Sequence, residues 1–232
     1  QANVSYLVER GAEAIVMGCN TSCAIAARFG WPTLGVPILD LIGGAAEAVA
    51  RLDAPRIGVL ATSATARSGA YGAAIRERDP RVTVIEAAAP ALVPLVESGT
   101  LRGPLARSAV AGACEPFGGG IDAIVLACTH FPMLDPVFAD VLGERVVRVD
   151  PAEMQARRAV ALVRERVGGA GYGRGRTTYV TNGPLERFAA NVAKLMGDLD
   201  DVEQVEEQRH GQRSQDGTGD DLRDRVGFEI HS

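Results

Sequence analysis

The chain has 232 residues, 47% of them apolar and 23% charged, a balance that excludes fibrous and predominantly disordered classes. Its net charge is −5 with 24 scattered Lys and Arg residues, so no basic footprint for nucleic acid stands out, and no apolar run reaches the roughly 18 residues a membrane span needs. Four cysteines in a chain this long do not make a disulfide scaffold. Without a basic, then apolar leader the reading is a cytoplasmic protein whose thiols serve as core, metal or catalytic groups.

In chain order, Val4, Leu7 and Val8 give helical spacing before Gly11. Ala14 to Gly18 is a short apolar run that reads as a buried parallel strand, ending in Cys19, Asn20 and Thr21. Asn20 and Thr21 are good N-cap residues for a helix over Ser22 to Phe29, whose free N–H groups would face a ligand. Thr33 to Ile38 is expected as a strand and Leu39 to Leu52 as a helix. A second series opens with strand Ile57 to Ala61, a polar loop through Thr62, Ser63 and Thr65, and a helix over Ser68 to Arg78. Val82 to Ile85 reads as a strand, Ala91 to Glu97 as a helical turn, Pro104 to Ala113 as a helix and Ile121 to Ala127 as a strand leading into Cys128. Helix Pro132 to Leu142, strand Arg145 to Val149 and helix Pro151 to Val167 follow. Gly168 to Gly175 is a glycine-rich linker, Thr177 to Thr181 a strand and Pro184 to Met196 a helix. From about Glu203 the polar composition reads as a tail, and residues 206–232 are expected to be disordered.

Alternation of strands and helices predicts a parallel α/β fold. AIVMGCNT at Ala14 to Thr21 is echoed by AIVLACTH at Ala123 to His130, far beyond any solenoid period, which points to two similar lobes with mainly parallel sheets flanked by helices and an active site in the cleft between them. The expected organisation is a first lobe over 1–54, a second over 55–149, a return to the first over 150–205, and the tail.

A cysteine acts as base or nucleophile only as thiolate, and its free pKa of about 8.5 falls near helix N-termini and cations, a setting open to both Cys19 and Cys128. Two thiols on opposite faces of one carbon suit stereoinversion, one taking a proton and the other returning one, with no metal or organic cofactor required. Asn20, Thr21 and Thr129 would donate hydrogen bonds to the developing carbanion, and His130 would assist proton transfer. Cys23 and Cys114, without polar motifs, read as core thiols. The spacing of Cys19, Cys23, Cys128 and His130 does not match common zinc ligands.

GCNTS at Gly18 to Ser22 and ACTHFP at Ala127 to Pro132 resemble the two cysteine motifs of the glutamate racemase family, in the aspartate/glutamate racemase superfamily. The similarity extends to Tyr6 to Gly11, ATSATARSGAY at Ala61 to Tyr71, LVPLVESG at Leu92 to Gly99 and, loosely, TTYVTNG from Thr177. The resemblance implies a cofactor-independent isomerase that interconverts L- and D-glutamate, the D-form feeding peptidoglycan and so cell wall biogenesis and cell shape. Carried over by position, Cys19 would act on the α-proton of D-glutamate and Cys128 on that of L-glutamate. Asn20, Thr21, Thr129 and His130 would contact substrate, His130 and Glu97 would assist the thiols, and Thr62 and Thr65 are further candidates for a carboxylate. The resemblance leaves room for a homodimer. It also implies an Asp-Ser-Gly strand and a Tyr-Gly segment ahead of Gln1, so the chain is expected to be part of a longer racemase. Other expectations are a sister activity (aspartate or hydantoin racemase, or maleate isomerase) and a catalytically silent chain that binds ligand or partner.

Overall fold

The computed structural model describes residues 2–118, 120–167, 177–196 and 201–205. They fall into two compact units divided between residues 169 and 170. The predicted glycine-rich linker and the disordered tail lie outside the described residues.

The first unit begins with helix α1 (Ala2–Glu9), strand β1 (Ile15–Val16), helix α2 (Asn20–Phe29), strand β2 (Ile38–Leu39) and helix α3 (Leu41–Val49). β1 and β2 pair in parallel, Ile15 beside Ile38. Both are shorter than their apolar runs predict. For β2 the reason is local: Pro32 precedes the predicted strand, Pro37 falls inside it, and Gly35 between them takes a positive φ of 71°. α3 starts two residues later than expected, because the Asp40 carboxylate accepts from the Gly43 N–H at 2.6 Å and sets the cap there.

Next come β3 (Arg56–Ala61), α4 (Ser63–Ser68), α5 (Ala70–Arg78), β4 (Thr83–Ala88), α6 (Leu92–Glu97), α7 (Gly103–Cys114), a 3-10 turn (Glu115–Phe117), β5 (Ala123–Ala127), a second 3-10 turn (Phe131–Leu134), α8 (Asp135–Leu142), β6 (Val147–Val149) and α9 (Pro151–Val167). The expected polar loop after β3 is helical instead. Thr62 caps α4 by accepting from the Thr65 N–H, and Gly69 at φ 65° ends α4 and redirects the chain into α5. β4 runs three residues past its predicted end, since Glu86, Ala87 and Ala88 pair with Val59, Leu60 and Ala61.

The four strands form one parallel sheet in the order β4-β3-β5-β6. Alternation along β3 and β5 sends side chains to two buried faces. Ile57, Val59, Ala61, Ala123, Val125 and Ala127 join a core with residues of α2, α3 and α5. Leu60, Ile124, Leu126 and Cys128 join a second core with α6, α7, α8 and the 3-10 turns. Phe117, Phe131 and Phe138 are fully buried there, each worth roughly 1.5–3 kcal/mol of apolar burial. The sheet is thus covered by helices on both sides, as a parallel sheet requires.

The second unit contains β7 (Thr178–Thr181), α10 (Leu185–Met196) and β8 (Asp201–Gln204). β7 and β8 pair in parallel, Thr178 beside Asp201, so the start of the stretch read as a polar tail is a strand. No helix among the described residues is long and apolar enough to cross a membrane.

Candidate active site

The parallel register aligns Ala61 of β3 with Ala127 of β5, so Thr62 and Cys128 leave the sheet side by side at its carboxyl edge. Cys19 opens α2 with extended backbone (φ −131°, ψ 117°), and Thr21 in the first turn of that helix bonds to Thr62. Cys19 is exposed and sits at the positive end of a ten-residue helix.

Asn20 and Thr21 are not the caps that their residue types predict. They lie inside the first turn of α2, and their side chains reach residues of α4, its cap and α5. Thr21 Oγ1 lies 3.0 Å from Thr62 Oγ1 and 3.1 Å from Thr65 Oγ1, and the Thr62 hydroxyl donates to Thr65 Oγ1 at 3.0 Å. Asn20 Oδ1 accepts the Tyr71 hydroxyl. The loop that carries Cys19 is therefore tied by hydroxyl and amide bonds to the loop that flanks Cys128.

Cys128 is 6% exposed, and burial is the main influence on it, raising its thiol above the ordinary value. The backbone N–H groups of His130 and Phe131 oppose that rise, while negative charge on Cys19 adds to it. The setting expected to lower this thiol is outweighed here, because only a short 3-10 turn follows Cys128 and the apolar core surrounds it. Cys128 Sγ lies 3.8 Å from His130 Nδ1, and His130 Nε2 lies 3.4 Å from Glu97 Oε1. Glu97, His130 and Cys128 thus form a chain from solvent to the buried sulfur. Thr129 is exposed beside them.

The thiols expected to be structural lie in the two cores. Cys23 and Cys114 are buried, and burial pushes each up to about 11. Among the described residues no group of three or more His, Cys, Asp or Glu side chains is placed to hold a metal. A cavity of about 210 Å³ lined by Val49, Asp53, Pro55, Ile75, Asp79 and Arg81 lies at the amino end of the sheet, and neither Cys19 nor Cys128 lines it.

Two residues at the site escape sequence reasoning. Tyr71 closes the quoted ATSATARSGAY run, yet nothing in the run signals that its hydroxyl reaches Asn20. Gln155, 4% exposed on α9, donates from Nε2 to Met17 O at 2.8 Å and Leu39 O at 3.1 Å, fastening the ends of β1 and β2 just ahead of Cys19. A glutamine inside a helix carries no sequence mark of such a role.

A family described as Asp/Glu/Hydantoin racemase matches residues 1–159. A glutamate racemase from Desulforudis audaxviator is 44% identical over 158 residues, 67% of this chain and 58% of that protein. One from a Synechococcus species is 41% identical over 162 residues, 69% of this chain and 60% of that protein. The chain spans 58–60% of the length of these curated relatives. Among solved structures, a glutamate racemase isoform from Bacillus anthracis superposes with a TM-score of 0.76 at 26% identity, covering 88% of this chain and 77% of that one. The Thermus thermophilus glutamate racemase in complex with beta-chloro-D-alanine gives 0.72 at 30% identity, covering 88% and 76%.

Proposed function

Because the chain belongs to the Asp/Glu/hydantoin racemase family, matched over residues 1–159, we propose that it interconverts L- and D-glutamate with Cys19 and Cys128 as bases on opposite faces of the α-carbon. The observation that carries this reading is the threonine bridge. Thr21, two residues after Cys19, bonds to Thr62, which leaves the sheet next to Cys128, and this contact supports a single site served by both motifs.

In the L-to-D direction the Cys128 thiolate takes the α-proton and becomes a thiol, leaving a carbanion-like centre. The Cys19 thiol delivers its proton to the opposite face and is left as thiolate. The reverse direction restores the starting state, and no electron pair leaves the system. One negative charge serves the pair: a thiolate at Cys19 raises Cys128 and so favours the protonated partner that the cycle needs. His130, braced by Glu97, stands where it assists proton transfer at Cys128. Asn20, Thr21, Thr129 and the hydroxyls of Thr62 and Thr65 are the donors for the substrate carboxylates and the transition-state charge.

The two-lobed arrangement, with boundaries near residues 54 and 149, belongs to the same reading, and the bonds from Gln155 to Met17 and Leu39 support a return of the chain to the first lobe after β6. So do the cytoplasmic location, the supply of D-glutamate to peptidoglycan and a homodimer, the last testable from mass in solution. The direct test of activity is proton exchange in D2O. Loss of the α-proton NMR signal of both glutamate enantiomers is expected, and an unchanged signal for both contradicts the reading. The same assay with aspartate and hydantoins assigns the specificity.

A further inference from the structure

Tyr71 is wholly buried in the core shared by α3, α5 and the β3-β5 face, a place where phenylalanine would ordinarily serve. Its hydroxyl is nevertheless spent on one partner, Asn20 Oδ1, 51 residues away. Burial raises the phenol far above its usual range, so it is an O–H donor at every working pH. Asn20 is 4% exposed and adjoins Cys19. With Oδ1 held by the Tyr71 hydroxyl, Nδ2 is the other branch of the planar carboxamide, and its N–H donors are directed away from that bond.

A carboxamide has a donor end and an acceptor end of nearly equal shape, whereas a carboxylate accepts only. Turned by 180°, Asn20 would present an oxygen to an anionic substrate and would take from the buried Tyr71 proton the acceptor it has here. We propose that Tyr71 is a positioning residue that locks the Asn20 amide with its two N–H donors facing the substrate carboxylate. This rests on the racemase reading above. It adds a buried group that acts on substrate binding through Asn20, without touching substrate itself.

The test compares the full chain with Tyr71→Phe, Asn20→Ala, the double variant and Asn20→Asp, reading KM and kcat for D- and L-glutamate alongside thermal melting. Tyr71→Phe is expected to raise KM roughly three- to tenfold, the effect of one lost hydrogen bond, with kcat within about twofold. Adding it to Asn20→Ala changes KM no further, because the amide it orients is gone. Asn20→Asp keeps an acceptor for Tyr71 but turns an oxygen outward, and is expected to raise KM more than Tyr71→Phe, a result that does not require the phenylalanine variant to fold. An unchanged KM in Tyr71→Phe, multiplying effects in the double variant, or an unaltered KM in Asn20→Asp would each overturn the positioning role. Absence of both exchange and glutamate binding in the parent chain would overturn the racemase reading, and the positioning role with it.

Discussion

The two cysteine loops come from echoing sequences, yet the molecule holds them by opposite means. Cys128 follows the central strand β5 directly and is gripped by apolar packing among Phe131, Leu134 and Leu126. Cys19 follows a two-residue strand and is exposed, and its loop is fastened by polar bonds from elsewhere: Tyr71 to Asn20, Thr62 and Thr65 to Thr21, Gln155 to Met17 O. On the strand and helix that adjoin it, Val16, Ile25 and Phe29 keep much of their apolar surface exposed. Burial fixes a group firmly but penalises its charge, so the buried thiol needs nearby N–H groups and His130 to ionise. The exposed thiol lacks that packing, so its position depends on each directional bond.

The largest expected expression of that contrast is in thiol reactivity. Iodoacetamide should modify Cys19 roughly tenfold or more faster than Cys128, because the first is exposed and the second is both buried and raised. Peptide mass spectrometry over time reads the ratio, and equal rates would break the asymmetry.

A smaller effect is expected at the outer end of the Cys128 support. The Glu97 side chain is 60% exposed, and exposed ion pairs contribute about 0.2–1 kcal/mol, so Glu97→Gln should reduce turnover at most about fivefold. A loss of a hundredfold would mean that Glu97 handles the proton itself and does more than brace His130.

A further contrast concerns the remaining thiols, one in each core. Cys23 and Cys114 are raised on folding from 9.0 to about 11, so the fold favours their protonated forms. Their contribution to stability is intact below about pH 9 and is lost as pH climbs toward about 11, at up to about 1.4 kcal/mol per pH unit for each thiol. Urea unfolding at a series of pH values should show this decline, flattened equally by Cys23→Ala and Cys114→Ala once their own destabilisation is subtracted. A pH-independent curve would contradict the buried, neutral state of both.

The strand-end cysteines were legible because a buried parallel strand leaves a continuous apolar run, and AIVLA ends where β5 ends. The alternating series of β3 to β6 followed for the same reason. Capping preference misread Asn20 and Thr21, since it describes a helix in isolation and these side chains answer to Tyr71, Thr62 and Thr65 more than forty residues away. Thr62 was visible as a polar residue after a strand, but its role as the cap of α4 and as the bridge to Thr21 depends on tertiary placement. The span from Thr33 to Ile38 was apolar enough for a strand, and Pro37 and Gly35 within it prevailed over that pattern.

The central claim is that the two differently held thiols act as one pair. Its most direct measurement is α-deuterium incorporation and change in optical rotation for L- and D-glutamate in the parent chain, Cys19→Ser and Cys128→Ser. Each substitution should lower racemisation by roughly 10²- to 10⁴-fold, the range for loss of one acid-base group. Racemisation that persists at the parental rate in either variant would contradict the account.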